Sequence, residues 1–199
     1  DCAIDLPAGP TEAIVLAAEG NARWIAADLL AQAEHAKDAA SFLITTSRSL
    51  ARQVQREIKW QLGELPFGMA RVSTELAGAI LVADSLDHAC EFVNRFAPEH
   101  LSLPEHADKL LLKINSVGTV FIGPWGAQPL GDYATGSNHV LPTGGWARMR
   151  GGLSAADFVK CISVQTIARK GFLRLADTVE ILAESEGLMA HRNAARVRR

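Results

Sequence analysis

Cysteine is scarce in these 199 residues: Cys2, Cys90 and Cys161 are odd in number and far apart. Such spacing supports neither a disulfide framework nor a cysteine-built zinc knot, and it points to a reducing compartment. An excess of one charge is lacking too. With a formal net charge of −2, nothing electrostatic invites nucleic acid or an anionic membrane surface. Only the end, His191 to Arg199, is locally basic, and a short tail of that kind is more often a solvated helix end. No apolar run approaches the ~18 residues of a membrane-spanning helix, and no charged start precedes an apolar signal segment, so the expected location is the cytoplasm. Phosphate-loop and dinucleotide fingerprints are missing as well: neither G-x-x-x-x-G-K-[ST] nor a G-x-G-x-x-G after a strand occurs. The chain opens without methionine at Asp1-Cys2-Ala3-Ile4-Asp5, which reads as the middle of a strand or loop and predicts a cut chain.

What is present is enough to bury a core, with 48% hydrophobic and 21% charged residues. After the turn Pro7-Ala8-Gly9-Pro10, the run Ala13-Ile14-Val15-Leu16-Ala17 is short, apolar and β-branched, as expected of a strand covered on both faces. Apolar and small residues then recur at three- and four-residue steps, predicting a helix from about Ala22 to Ala36 with Asn21 as N-cap. The alternation continues through strands at Phe42–Thr45, Ala79–Ala83, Leu101–Leu103 and Thr119–Ile122, with helices at Leu50–Leu62, Leu86–Phe96 and about Glu105–Ile114 between them. Repeated βαβ units predict an α/β fold with a mostly parallel sheet and flanking helices. From Gly123 to Gly152 glycine and proline interrupt the periodicity, and a loop of that length in a compact domain is usually functional or disordered. Helices are expected at Ala155–Ala168, Gly171–Ala183 and Gly187–Arg198. The expected domains are residues 1–150, an α/β domain, and residues 151–199, a helical arm.

Four polar groupings are candidates for chemistry. Gln32 and His35 stand at i and i+3 near a helix end, close enough to share one ion or ligand, although a lone histidine there is more often a cap or dipole partner. Pro98-Glu99-His100 sets a carboxylate beside an imidazole just before a strand, a pair able to divide proton transfers; alone it also reads as a surface turn. Asp132 and His139 lie in a glycine-rich loop that permits close approach to a ligand. Glu186 and His191 flank a helix start, and their spacing alone means little. Taken together, oxygen and nitrogen donors without cysteine suit a catalytic zinc better than a structural one.

The segments Ile4-Asp5-Leu6-Pro7-Ala8-Gly9-Pro10-Thr11-Glu12, Leu29-Leu30-Ala31-Gln32-Ala33-Glu34-His35, Ala97-Pro98-Glu99-His100-Leu101, Gly131 to Thr143, and Ala190-His191-Arg192-Asn193-Ala194 resemble histidinol dehydrogenase, in the family's order. The resemblance covers the whole chain but only the C-terminal half of that enzyme. It implies an incomplete Rossmann-like α/β fold with a C-terminal helical arm, and a zinc enzyme that oxidises L-histidinol to L-histidine through the aldehyde with two NAD⁺. By matching position it implies Gln32, His35, Asp132 and His191 as ligands of one zinc per subunit, the ion gripping the substrate's imidazole and amino groups. Glu99 and His100 are implied as the acid/base pair, His100 taking the alcohol proton and Glu99 activating water. Thr11, Gln32, His35, His100, Asp132, Glu186 and His191 are the implied substrate contacts, with His139 in support. A homodimer is implied, its arm carrying Glu186 and His191 into the partner's site. The nucleotide-binding half has no counterpart here, so this chain alone is expected to bind NAD poorly. A non-catalytic zinc- or substrate-binding fragment, or a dimerisation fragment, is the competing expectation. A zinc hydrolase is disfavoured by the absence of H-E-x-x-H.

Overall fold

The computed structural model describes residues 9–105 and 107–199, without the side chains of 107 and 108. Cys2, the turn residues Pro7 and Ala8, and the segment Ile4 to Ala8 lie outside the described residues. In order, the elements are β1 (Glu12–Leu16), α1 (Ala22–Ala33), β2 (Ala40–Thr45), α2 (Arg48–Glu64), α3 (Met69–Ala77), β3 (Gly78–Val82), α4 (Leu86–Phe96), β4 (His100–Leu103), α5 (Ala107–Leu111), β5 (Thr119–Ile122), α6 (Gln128–Tyr133), α7 (Arg169–Ser185) and α8 (Met189–Arg196). The five strands form one parallel sheet in the order β3-β2-β1-β4-β5, as the alternation predicts.

Central β1 is buried along its whole length, which explains why its run is apolar on both faces. Alternation splits it between two layers. Ile14 and Leu16 pack with Ile44, Leu101 and Leu103 against Ala89, Cys90 and Val93 of α4 and Leu110 of α5. Val15 and Ala17 pack with Leu43 against Ile25, Ala26 and Leu29 of α1 and Leu50 and Val54 of α2. Each fully buried Ile, Leu or Val contributes about 1.5–3 kcal/mol, so burial in these two layers is the main force holding the sheet in register.

Several segments depart from expectation. Helix α3 follows a Gly68 N-cap that offers no side-chain hydrogen bond, so it lacks the usual start signal. A short helix, α6, interrupts the loop expected from Gly123 onwards. The helix expected over Ala155–Ala168 is only a 3₁₀ turn, Ala155–Phe158, closed by a Ser154/Asp157 capping box. The β-branched Val159, Ile162, Val164, Thr166 and Ile167 that follow are exposed and do not continue the helix. By its contacts the chain divides into two compact units, one running to Val159 and the other from Lys160 to Arg199, the second built on α7 and α8. No helix among the described residues is long and apolar enough to cross a membrane.

Candidate active site at the amino edge of the sheet

Glu99 and His100 enter β4 through Ala97, a C-cap of α4 held at φ 58°, ψ 63° in the left-handed region. The register pairs His100 with Ala13, which brings Glu99 beside Thr11 and Glu12 at the start of β1. Thr11 Oγ1 donates to Glu99 Oε2 at 2.5 Å, and the Glu12 amide donates to the same oxygen at 3.2 Å. From the C-terminal end of α1, Gln32 Nε2 donates to Thr11 Oγ1. The result is a directed chain, Gln32 to Thr11 to Glu99, in which Gln32 and Glu99 are buried. Hydrogen bonds to a carboxylate are charge-assisted, roughly twice as strong as neutral ones, so the Glu99 oxygen is firmly placed.

His100 is 4% exposed, and its ring lies over Phe121 with centroids 5.9 Å apart. Its Nδ1 is 3.5 Å from Glu99 Oε2, yet neither ring nitrogen forms a hydrogen bond among the described residues. Burial pushes the imidazole below its ordinary value. The charges of Glu99 and Asp132 and the Glu12 backbone act in the opposite direction, while His35 adds to the lowering. Burial thus disfavours the protonated form of the ring. Burial likewise pushes the Glu12 carboxyl up; the Gly144 amide, which donates to Glu12 Oε1 at 3.1 Å, opposes that rise and ties the Thr143–Gly144 loop to β1.

Two glycines make this packing possible. A Cβ on Gly118 would meet the Glu99 carbonyl at 2.6 Å, and one on Gly131 would meet the Phe121 ring at 2.7 Å. The second contact lies behind the ring that backs His100, so α6 seats against β5 only with glycine at that point.

Beside this buried pair a cleft of about 260 Å³ opens between α1 and α6, lined by Gln32, His35, Gln128, Pro129 and Asp132. His35 Nδ1 lies 3.1 Å from the Gln32 carbonyl. With that nitrogen donating, Nε2 becomes the lone-pair atom, the orientation that second-shell bonds impose on metal-binding imidazoles. No group of three His, Cys, Asp or Glu side chains able to hold a metal ion occurs among the described residues. The cleft is lined by Glu34, His35 and Asp132, together with the Gln32 amide.

Thr11, Gln32, Glu99 and His100 therefore come together, and His35 and Asp132 share the adjoining cleft with Gln32. His139 is exposed in the loop after α6. Glu186, the exposed C-cap of α7, and His191, on α8, belong to the second unit, where His191 lines a groove of about 560 Å³ with Phe172 and Val179. Spacing in the chain does not single out Glu12 or Gln128. Gln128 stands four residues before Asp132, which on a helix is the one available hint.

The histidinol dehydrogenase family matches this chain over residues 1–199. Its relatives include the histidinol dehydrogenase of Methanosarcina mazei, 45% identical over 198 residues, which are 98% of this chain and 46% of that protein. That of Escherichia coli (strain K12) is 41% identical, with 98% of this chain and 46% of that protein covered. Among solved structures, the crystal structure of histidinol dehydrogenase from Elizabethkingia anophelis superposes with a TM-score of 0.90 at 39% identity, covering 98% of this chain and 45% of that one. The chain spans about half the length of the curated relatives it matches.

Proposed function

Because the chain belongs to the histidinol dehydrogenase family, we propose that it carries the substrate and zinc half of a cytoplasmic enzyme of histidine biosynthesis. That enzyme oxidises L-histidinol to L-histidine through L-histidinaldehyde. The observation that supports this reading best is the buried chain Gln32–Thr11–Glu99 beside a buried imidazole whose protonated form burial disfavours.

In this reading His100 takes the proton from the substrate hydroxyl, which a neutral buried imidazole can do near pH 7. Glu99, with Oε2 fixed by Thr11 and the Glu12 amide, uses its remaining acceptor capacity on the water that adds to the aldehyde. Thr11 and Glu186 would contact the substrate. Gln32, His35, Asp132 and His191 would hold one zinc ion per subunit, a donor set of nitrogen and oxygen without thiolate that suits an open catalytic site. When bound, zinc would supply a grip on the substrate's imidazole and amino nitrogens, and NAD⁺ a hydride acceptor. The nucleotide would bind outside these 199 residues. Consistent with that, the Asn21 side chain already accepts from the Arg23 and Trp24 amides at the start of α1.

A homodimer is part of the proposal. Among residues 160–199 the buried apolar side chains are Ala176, Ala183 and Ala195, while Leu175, Ile181, Leu182 and Val197 are exposed. So small a core calls for an outside surface, and a second copy would supply it, with Glu186 and His191 completing the partner's site. That the chain spans about half of its relatives favours a second reading, a zinc- or substrate-binding fragment without turnover of its own. Zinc content and histidinol-dependent NADH formation by the isolated chain separate the two: metal without turnover supports the fragment, whereas robust turnover rules it out. In a full-length enzyme containing this segment, Glu99→Gln is expected to abolish oxidation of the aldehyde to the acid while zinc content stays at wild-type level. Unchanged kinetics for that step would refute the role of Glu99.

A further inference from the structure

Gln128 is 3% exposed, and neither its Oε1 nor its Nε2 has a hydrogen-bond partner among the described residues. It opens α6 four residues before Asp132, so the two side chains rise from one side of that helix, and it lines the same cleft as Gln32 and His35. The contrast with Gln32 is informative. The Gln32 amide nitrogen is spent within the protein, on Thr11 Oγ1, whereas Gln128 keeps both halves of its carboxamide uncommitted. Burying an unsatisfied amide forfeits the hydration of both atoms, and a Leu or Met of similar volume would fill the space without that cost. A polar group held in this way beside a cleft is available to a ligand.

We propose that Gln128 is a further substrate-contacting residue, its neutral carboxamide recognising the imidazole N–H of the substrate. This rests on the functional reading above and assigns the groups by their chemistry. The hydroxyl is the group on which His100 acts, and the amine and one ring nitrogen are those that a bound zinc would grip. The ring N–H is left as a neutral donor, and an uncharged amide oxygen is its natural acceptor. The amide nitrogen is then free to donate to a second acceptor in the cleft. Gln128 thereby reads the ring, not the reacting carbon, and acts on binding more than on turnover.

The test is Gln128→Leu in the full-length enzyme, compared with wild type for KM, kcat, zinc content and thermal midpoint, together with competitive inhibition by imidazole and by ethanolamine. The expected result is a KM for histidinol raised about tenfold, roughly what one hydrogen bond to a bound ligand is worth. Inhibition by imidazole weakens to a similar degree, while inhibition by ethanolamine, zinc content and kcat stay near wild type. The thermal midpoint is unchanged or higher, because an orphan amide has been replaced by an apolar side chain. A residue with a merely structural role would instead lower the midpoint and leave KM alone. If the wild type turns over histidinol and Gln128→Leu keeps its KM, or loses ethanolamine inhibition rather than imidazole inhibition, the proposal for Gln128 falls and the functional reading stands. If the wild type forms no NADH from histidinol, both fall.

Discussion

The two edges of the sheet differ in kind. At the carboxyl edge the strand order reverses between β1 and β4, which is where open α/β sheets usually place their ligands. A crevice of about 100 Å³ does lie there, lined by Asn21, Asp28, Ser102, Pro104 and Gly126. At the amino edge, where topology alone promises nothing, the buried Glu99 and His100, the directed hydrogen bonds and the larger cleft are assembled. The topology supplies a crevice, but the chemistry follows the residues. Helix α1 touches both regions along one face, with Asp28 toward the first and Gln32 and His35 toward the second, four and seven residues further on.

The comparison breaks hardest on His100. In the full-length enzyme, His100→Asn is expected to lower kcat by about 10²–10⁴-fold, the usual contribution of a positioned base, without loss of folded structure by circular dichroism. Because burial depresses the imidazole, the acidic limb of the wild-type pH–rate profile for kcat/KM should fall below 6.5, the ordinary histidine value. A limb above that value would mean that the Glu99 and Asp132 charges outweigh burial.

A glycine pair tests packing at the two edges. Gly118→Ala drives a Cβ into the Glu99 carbonyl and should cost about 1–3 kcal/mol in urea unfolding. Gly123→Ala, just past β5, meets no atom within 4 Å and bears only the penalty of its φ of 82°, about 1 kcal/mol. Equal costs would show that the amino edge yields more readily than its contacts imply.

A pH-dependent effect of similar size falls on Asp28, whose carboxyl burial pushes from 3.8 up to about 6. A group raised on folding binds its proton more tightly in the native state, so its contribution is intact below pH 3.8 and lost as pH rises through 6. Asp28→Asn removes that loss. It should raise stability by about 1–2 kcal/mol at pH 7.5, allowing for partial exposure, and give no gain at pH 3.5. A gain that does not change with pH would count against burial as its source.

Much of the fold is legible in the sequence because β1 to β5 are short apolar runs between turn signals, a pattern set by burial on two faces. Helix α3 is harder to read, since it is short and starts from a glycine cap. The overextended helix after Ser154 has a genuine capping box but no packed face to propagate it. The site is a different matter. Gln32 and His35 share a helix end, and Glu99 and His100 are adjacent, so each pair is visible as a pair. That Thr11 binds Glu99 depends on the β1–β4 register, which spacing along the chain does not encode, and the family resemblance is what grouped them. Glutamine usually lies at the surface, so a buried Gln128 emerges only from the fold.

The hydrogen bonds at Glu99 and Glu12 also bear on how the molecule acquires its site. Thr11 and Glu99 are 88 residues apart, the Glu12 amide and Glu99 87, and Gly144 and Glu12 132. Contacts of such sequence separation form only after long loops have closed, and that entropy is spent before any reward arrives. In a full-length enzyme containing this segment, recovery of activity during refolding should therefore trail recovery of helical signal, reporting the moment at which β4 docks beside β1.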